Sequence, residues 1–484
     1  MDSVTRNILD IFTRISGIPR QSKHEEKISR WLTEWAQDHE LDFKRDHAGN
    51  VVIEVPGTAG RDSAATVVIQ GHMDMVCEKT PDSSHDFSKD GIELLYDGDW
   101  LSARKTTLGA DNGIAIAMAL ALVSSRGIEH PPLELLFTVD EETGLTGANA
   151  LENDFLTGRL LINLDSEDER DITIGCAGGN NSLISFSLDR EKIDPAYTGI
   201  FISVGGLTGG HSGADIHRHR GNANKLLSRI LDGSIESGRG RIVSLSGGSA
   251  RNAIPRDATA TLVVNGNVAL EQIEELKKKS VDIKREHRGT EPGLNIGIKP
   301  APLDGKTACT VDLSKRIIRL IRALPDGVQE HSPQIPDLVE TSCNVATIRE
   351  TGDQLEICTS LRSSVMSSLH DLTRVFGSVA SLAGVSQRIE NEYVAWAPDA
   401  DSPLLALAKT AYKKALSREA GIRAIHAGLE CAVIGAKFKG MDMISLGPTI
   451  EHPHSPDERI FIPSILNVWK ALLSLLQSLS GAHA

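Results

Sequence analysis

The chain has 484 residues, 40% of them hydrophobic and 24% charged, the make-up of a soluble globular protein too long for one ordinary core. Its net charge of −14 argues against nucleic acid or an anionic membrane as partner. The six cysteines form no C-x-x-C pair and read as reduced thiols of a cytosolic protein.

Taken in order, the chain opens on polar residues that lead straight into an amphipathic helix, so no targeting segment is expected. That helix runs over 3–15, with Val4, Ile8, Leu9, Phe12 and Ile15 on one face, and Gly17 and Pro19 end it. Ser22 and Glu25 have capping-box spacing ahead of a second helix that carries Ile28, Trp31, Leu32 and Trp35. The segments 43–46 and 51–55 alternate about Ala48-Gly49-Asn50 as a hairpin. A β-branched strand from Val67 then runs into His72 and Asp74. The longest apolar run, 114–123, is too short to span a bilayer and reads as a buried helix that follows Asp111. Strands at 133–139 and 160–164 stop at Asp140-Glu141-Glu142 and at Asp165. This alternation predicts an α/β domain with a central, mostly parallel sheet flanked by helices.

Beyond Gly178-Gly179 the texture changes. Strands are expected at 183–188, 199–205, 241–245, 258–264, 343–349, 354–362 and 388–393. Helices are expected at 224–231, 270–281, 311–324 and 367–382. The order suggests two βαββαβ-like halves of an inserted α+β lid domain. The α/β pattern resumes near Pro398, with a helix at 403–416, a strand at 443–446 leading to Glu451-His452-Pro453-His454, and a terminal helix. Residues 1–185 and 396–484 therefore form a discontinuous first domain, and 186–395 the insertion.

Ligands of an open α/β sheet collect beyond the carboxyl ends of its strands. Five segments ending in acids or histidines are expected to meet on one such rim. Imidazole with carboxylate suits Zn²⁺, with Mn²⁺ or Co²⁺ as alternatives where carboxylates dominate.

Gly71-His72-Met73-Asp74, Gly109-Ala110-Asp111-Asn112, Asp140-Glu141-Glu142, Asp165-Ser166-Glu167 and His454-Ser455-Pro456-Asp457-Glu458 resemble the five signatures of the di-zinc exopeptidase family. That family includes carnosinases, aminoacylases, tripeptidases and bacterial dipeptidases. Segments such as Gly209-Gly210-His211-Ser212-Gly213, Gly221-Asn222-Ala223-Asn224-Lys225, Arg251-Asn252-Ala253-Ile254-Pro255 and Ile425-His426-Ala427-Gly428-Leu429-Glu430-Cys431 extend the likeness along the whole chain, closest to the bacterial dipeptidases.

The resemblance implies two divalent ions. His72 and Asp165 would hold one, Glu142 and His454 the other, and Asp111 would bridge them. Asp74 would orient His72 without touching metal, and Glu141 would be the general base. The bond between Asp111 and Asn112 would be cis. From the insertion, His211 would stabilise the oxyanion, while Asn252 and Arg362 would bind the substrate carboxylate. Glu430 would meet the free amine, and it shares a face with His426 if that segment is helical. Two departures stand out: Ala432 replaces the glycine usual after Gly-Leu-Glu-Cys, and His452 rivals His454.

The function so implied is that of a cytosolic metallo-dipeptidase acting on unblocked L-dipeptides, Xaa-His among them. A homodimer through the insertion is a further expectation. The alternatives are an N-acyl-amino-acid deacylase or carboxypeptidase on the same scaffold, and a non-catalytic protein with a relic metal site. A serine hydrolase is disfavoured, because no G-x-S-x-G elbow occurs.

Overall fold

A computed structural model describes residues 1–125, 127–303, 307–333 and 335–481. It divides into two compact units, one of Met1–Gly175, Trp396–Ala424 and Leu429–Ala484, the other of Cys176–Ala395 with Ile425–Gly428.

The first unit is built on an eight-stranded sheet. Its path is Asp42–Arg45, Val51–Val55, Leu133–Thr138, Val67–His72, Leu160–Asn163, Asp442–Ser445, Asp171–Cys176 and Gly421–Ile425. The middle is parallel: Val67–His72 lies between Leu133–Thr138 and Leu160–Asn163, and Asp442–Ser445 runs parallel to the latter. Val67–His72 and Leu133–Thr138 are buried at every residue, which explains why apolar side chains dominate both and do not alternate with exposed polar ones. In this register His72 stands level with Thr138, and Gln70 with Asn163. Three chain segments thus leave the sheet side by side at their carboxyl ends.

Helix Ala110–Ser124 is buried on nearly all sides, which is why it shows no polar stripe. Its second and third residues, Asp111 and Asn112, lie outside helical backbone angles, and the bond between them is cis.

One reading of a helix needs correction. The helix at Glu26–Asp38 has no side-chain cap. The Ser22 hydroxyl donates instead to Asp74 Oδ2 at 2.8 Å, and Glu25 Oε1 accepts from the Asp140 amide at 2.9 Å. The terminal helix, Ile462–Gly481, is long and apolar enough to cross a bilayer by length and composition. Asn467, Lys470, Ser474 and Gln477 break its apolar run and hide that length in the sequence. It buries Ile465, Val468, Trp469, Leu472 and Leu476, and packs on helices Pro403–Leu416 and Ser3–Ser16.

The second unit carries a nine-stranded antiparallel sheet. Tyr197–Gly205, helix Ala223–Glu236, Gly240–Gly247, Ala258–Asn265, helix Ala269–His287 and Asn295–Ala301 make one βαββαβ half. Gly178–Ser187, helix Val311–Ala323, Val339–Thr351, Gln354–Ser363, helix Met366–Leu382 and Gln387–Tyr393 repeat that order. The first half is inserted after the opening strand of the second. The two join where Gly247 pairs with Ile348. One core takes Ile202, Leu262 and Ile357 from the strands and Leu227, Leu276, Ile317 and Phe376 from the four helices. The expected boundary at 185/186 falls inside the strand Gly178–Ser187, whose first residues, Gly-Gly-Asn-Asn, carry none of the β-branched side chains that announce strands.

Candidate active site

His72 closes its strand with 1% of its surface exposed. Its Nδ1 lies 3.2 Å from Asp74 Oδ1, and its Nε2 lies 3.1 Å from Asp111 Oδ1 and 3.5 Å from Asp165 Oδ1. Asp111 turns its other oxygen, Oδ2, to His454 Nε2 at 3.0 Å. The same His454 nitrogen lies 3.2 Å from Glu142 Oε2. Two groups of ligand atoms, His72–Asp111–Asp165 and Asp111–Glu142–His454, share Asp111, and a third, His72–Glu141–Glu142, lies beside them.

These groups fit divalent cations on their own chemistry. Carboxylates are gathered against one another around two imidazoles, which is costly unless positive charge is supplied. Burial alone would depress the His72 imidazole, yet Asp165, Asp111 and Asp74 hold it well above its ordinary value. Asp111 and Glu142 push His454 up to about 11. Burial raises Asp165 to about 6, against the pull of His72. Glu142 Oε1 is buried with no hydrogen-bond partner, an orphan that a cation would satisfy.

A further acidic group, Glu25–Asp74–Asp140, needs no ion. Glu25 accepts the Lys23 and Asp140 amides, and Asp140 accepts the hydroxyls of Thr143 and Thr146. Asp74 accepts the amides of Glu141 at 3.0 Å and Glu142 at 3.2 Å, besides Ser22. Burial opposes ionisation of Asp74, but its bonds to His72, Glu141 and Ser22 hold it at about 2. It therefore remains a carboxylate, and as an acceptor it places a proton on His72 Nδ1, so that Nε2 is the nitrogen that can ligate once the ring is neutral.

Glu141 sits one residue before Glu142 at the start of a single helical turn, Glu141–Gly144. Burial raises its carboxyl well above the usual range, and Asp165 and Glu142 add to this against the opposing pull of His72. His452 is exposed and belongs to none of the ligand groups found among the described residues.

Sequence reasoning missed the work of Asn112. Its Oδ1 accepts the His72 amide at 3.3 Å, and its Nδ2 donates to the Leu164 carbonyl at 3.0 Å. It thus fastens three ligand-bearing segments together. Gly71 makes room for it, since a Cβ there would lie 2.5 Å from Asn112 Oδ1. Only the position of Asn112 beside Asp111 could have flagged it.

Glu430 is fully buried at the start of helix Glu430–Lys437. Its Oε2 accepts from Gln70 Nε2 and Thr138 Oγ1, each at 2.6 Å, while Oε1 has no partner. Burial lifts its carboxyl to about 7. His426 does not share a helical face with it, because the helix begins only at Glu430 and His426 belongs to the second unit. Ala432 is buried on the same short helix.

Within the second unit, His211, Arg362 and His426 come together around Gly213. A Cβ on that glycine would lie 2.1 Å from the His426 carbonyl, 3.1 Å from His211 Cε1 and 3.3 Å from Arg362 Nε. His211 Nδ1 accepts the amides of Gly213 at 3.2 Å and Ala214 at 3.0 Å. A ring nitrogen that accepts carries no proton, so the proton of a neutral His211 is on Nε2. Arg362 donates to the Tyr393 hydroxyl at 2.6 Å, and its buried Nε has no partner. His426 Nε2 lies 2.7 Å from Ser342 Oγ. Burial, then Arg362 and His211, hold His426 down at about 3, so its ring is neutral. Asn252 is exposed, and its carbonyl accepts the Ser212 amide at 2.8 Å.

The model of peptidase family M20/M25/M40 matches residues 68–478. The chain belongs to that family. It is 40% identical over 474 residues to the cytosol non-specific dipeptidase of Escherichia coli (strain K12), covering 97% of each chain. The crystal structure of aminoacylhistidine dipeptidase from Vibrio alginolyticus superposes with a TM-score of 0.90 at 37% identity, over 99% of this chain and 98% of that one. An aminopeptidase structure from Bacillus cereus shares the fold at 16% identity and a TM-score of 0.57, over 98% of each chain. As a member of the M20 family the chain is a peptidase, and its acids and histidines can hold metal.

Proposed function

We propose that the protein is a metal-dependent dipeptidase that hydrolyses unblocked L-dipeptides, Xaa-His among them. The observation that carries this reading is Asp111, whose two oxygens face two separate imidazole–carboxylate groups. Kinship to two named dipeptidases supports the substrate class.

His72 and Asp165 would hold one ion, Glu142 and His454 the other, with Asp111 shared. The N/O donor set suits Zn²⁺, with Mn²⁺ or Co²⁺ as substitutes. Bound there, such ions would supply Lewis acidity, making a water acidic near neutrality and polarising the scissile carbonyl. Glu141 takes the attacking water's proton on its carboxylate and passes it to the leaving amine. Asp74 keeps His72 in the tautomer that frees Nε2. His211 donates from Nε2 to the oxyanion as it forms. Arg362 and Asn252 bind the free carboxylate of the substrate, with His426 beside Arg362. Glu430 is the carboxyl assigned to the free amine. Requiring both free termini would restrict the enzyme to dipeptides.

The compartment assigned is the cytosol, in keeping with six cysteines outside any disulfide among the described residues and with the name of the E. coli relative. The test is a panel of free and N-acetylated dipeptides, assayed with Zn²⁺, Mn²⁺ and Co²⁺ each restored to stripped protein. Hydrolysis confined to the free-amine members is expected. Hydrolysis of the acetylated members alone would select the deacylase reading.

A further inference from the structure

Arg20 lies in the connection between the first two helices, where the sequence shows only a helix ending at Gly17 and Pro19. Its side chain is among the largest that are fully buried. Nη1 donates to the carbonyls of Met73 at 3.0 Å and Asp74 at 2.9 Å, just past His72. Nη2 donates to the carbonyl of Gly109, two residues before Asp111. Backbone pairing strengthens the tie: the Met75 amide donates to the Arg20 carbonyl at 3.2 Å.

The turn before Asp111 is gripped from a second direction by Glu458. Its Oε2 accepts the amides of Leu108 at 2.7 Å and Gly109 at 2.9 Å, and its Oε1 those of Ala110 at 2.8 Å and Asp111 at 3.2 Å. One carboxylate thus holds four consecutive N–H groups, while one guanidinium holds the carbonyl side of the same turn. The space for Arg20 is made by two glycines. A Cβ on Gly109 would lie 2.4 Å from Arg20 Nη2, and one on Gly113 would lie 2.7 Å from it.

We propose that Arg20 is a positioning residue for the candidate metal centre: its planar fork fixes the span between the His72–Asp74 turn and the Asp111 turn, and with it the affinity for divalent cations. This rests on the two-cation reading above. Arginine suits the task because its rigid guanidinium presents several donors at once, whereas a lysine ammonium is a flexible point charge. The clamp and simple charge repulsion predict opposite signs. Removing a buried cation beside the site would tighten binding of metal cations if Coulomb terms ruled. Loosening two ligand-bearing turns weakens it, by about 10–100-fold for the loss of a supporting contact.

The test uses the full chain stripped by chelator, titrated with Zn²⁺ against a chromophoric competitor and with Co²⁺ followed by its visible absorption. Arg20→Ala is expected to weaken uptake about 10–100-fold and to alter the Co²⁺ spectrum, a readout that a purely structural residue would leave alone. Arg20→Lys, which keeps the charge, is expected to stay weak. If Arg20→Ala does not fold, Gly113→Ala decides, because it displaces the guanidinium from within a helix and removes no charge. Affinity equal to or tighter than wild type in the folded variant overturns the inference alone. A wild-type chain that takes up neither ion overturns the two-cation reading and this inference with it.

Discussion

Asp74 Oδ1 stands 3.2 Å from His72 Nδ1 and accepts the Glu141 amide at 3.0 Å. One carboxylate therefore orients the imidazole assigned to a metal and anchors the backbone of the residue assigned as base. Asp74→Asn keeps an acceptor for these bonds but loses the charge, and its amide can present a donor to His72 instead. Divalent-ion affinity of the stripped protein should fall about 10–100-fold, with far-UV circular dichroism unchanged. Undiminished affinity would remove Asp74 from the support of His72.

Glu141 has its carboxyl raised by burial, and it lies close enough to His72 and Glu142 to form a ligand group with them. The roles of base and ligand are therefore told apart by whether metal survives its loss. Glu141→Gln should bind as much Zn²⁺ as wild type and lose about 10²–10⁴-fold in kcat. Loss of metal together with activity would mark Glu141 as a ligand.

The metal-free site should respond to pH in a definite direction. His454 is raised to about 11 by Asp111 and Glu142, and His72 is held well above its ordinary value despite its burial. Both rings thus carry a proton across neutrality and must lose it before ligating. Apparent affinity should rise with pH through neutrality and continue to rise toward about pH 11, with protons released on binding. Calorimetric titration in buffers of different ionisation enthalpy measures that release directly. No dependence of the heat on the buffer would contradict the assignment of these imidazoles.

How much of this was legible in the sequence depended on how each group is presented. His72 ends, and Glu142 and Asp165 follow, largely buried strands whose mostly apolar residues advertise where they stop. Asp111 heads a helix and His454 follows the two-residue strand Ile450–Glu451, so only their motifs marked them. Ser22 and Glu25 were misread because a hydroxyl and an acid three apart look the same whether they cap the next turn or reach Asp74 and Asp140, about 50 and 115 residues away. Arg20, Asn112 and Glu458 act entirely through such distant backbone groups, which no local pattern encodes. The interleaved halves of the second unit were legible as element order, but not the single sheet they share, since pairing Gly247 with Ile348 is a long-range event.

Arg362 offers the sharpest probe of substrate choice. It stands opposite Ser342 in the strand pair, donates to Tyr393, and keeps a buried Nε without a partner. Arg362→Lys preserves the charge but not the fork that pairs a carboxylate through two parallel bonds. A charge-assisted bond is worth about 1.5–3 kcal/mol, so KM for a dipeptide should rise by roughly 10–100-fold while kcat changes much less. Amidating the C-terminus of the substrate should cost the wild-type enzyme a similar factor and cost the variant little more. If the variant and the wild type lose equally on amidation, Arg362 does not read the carboxylate.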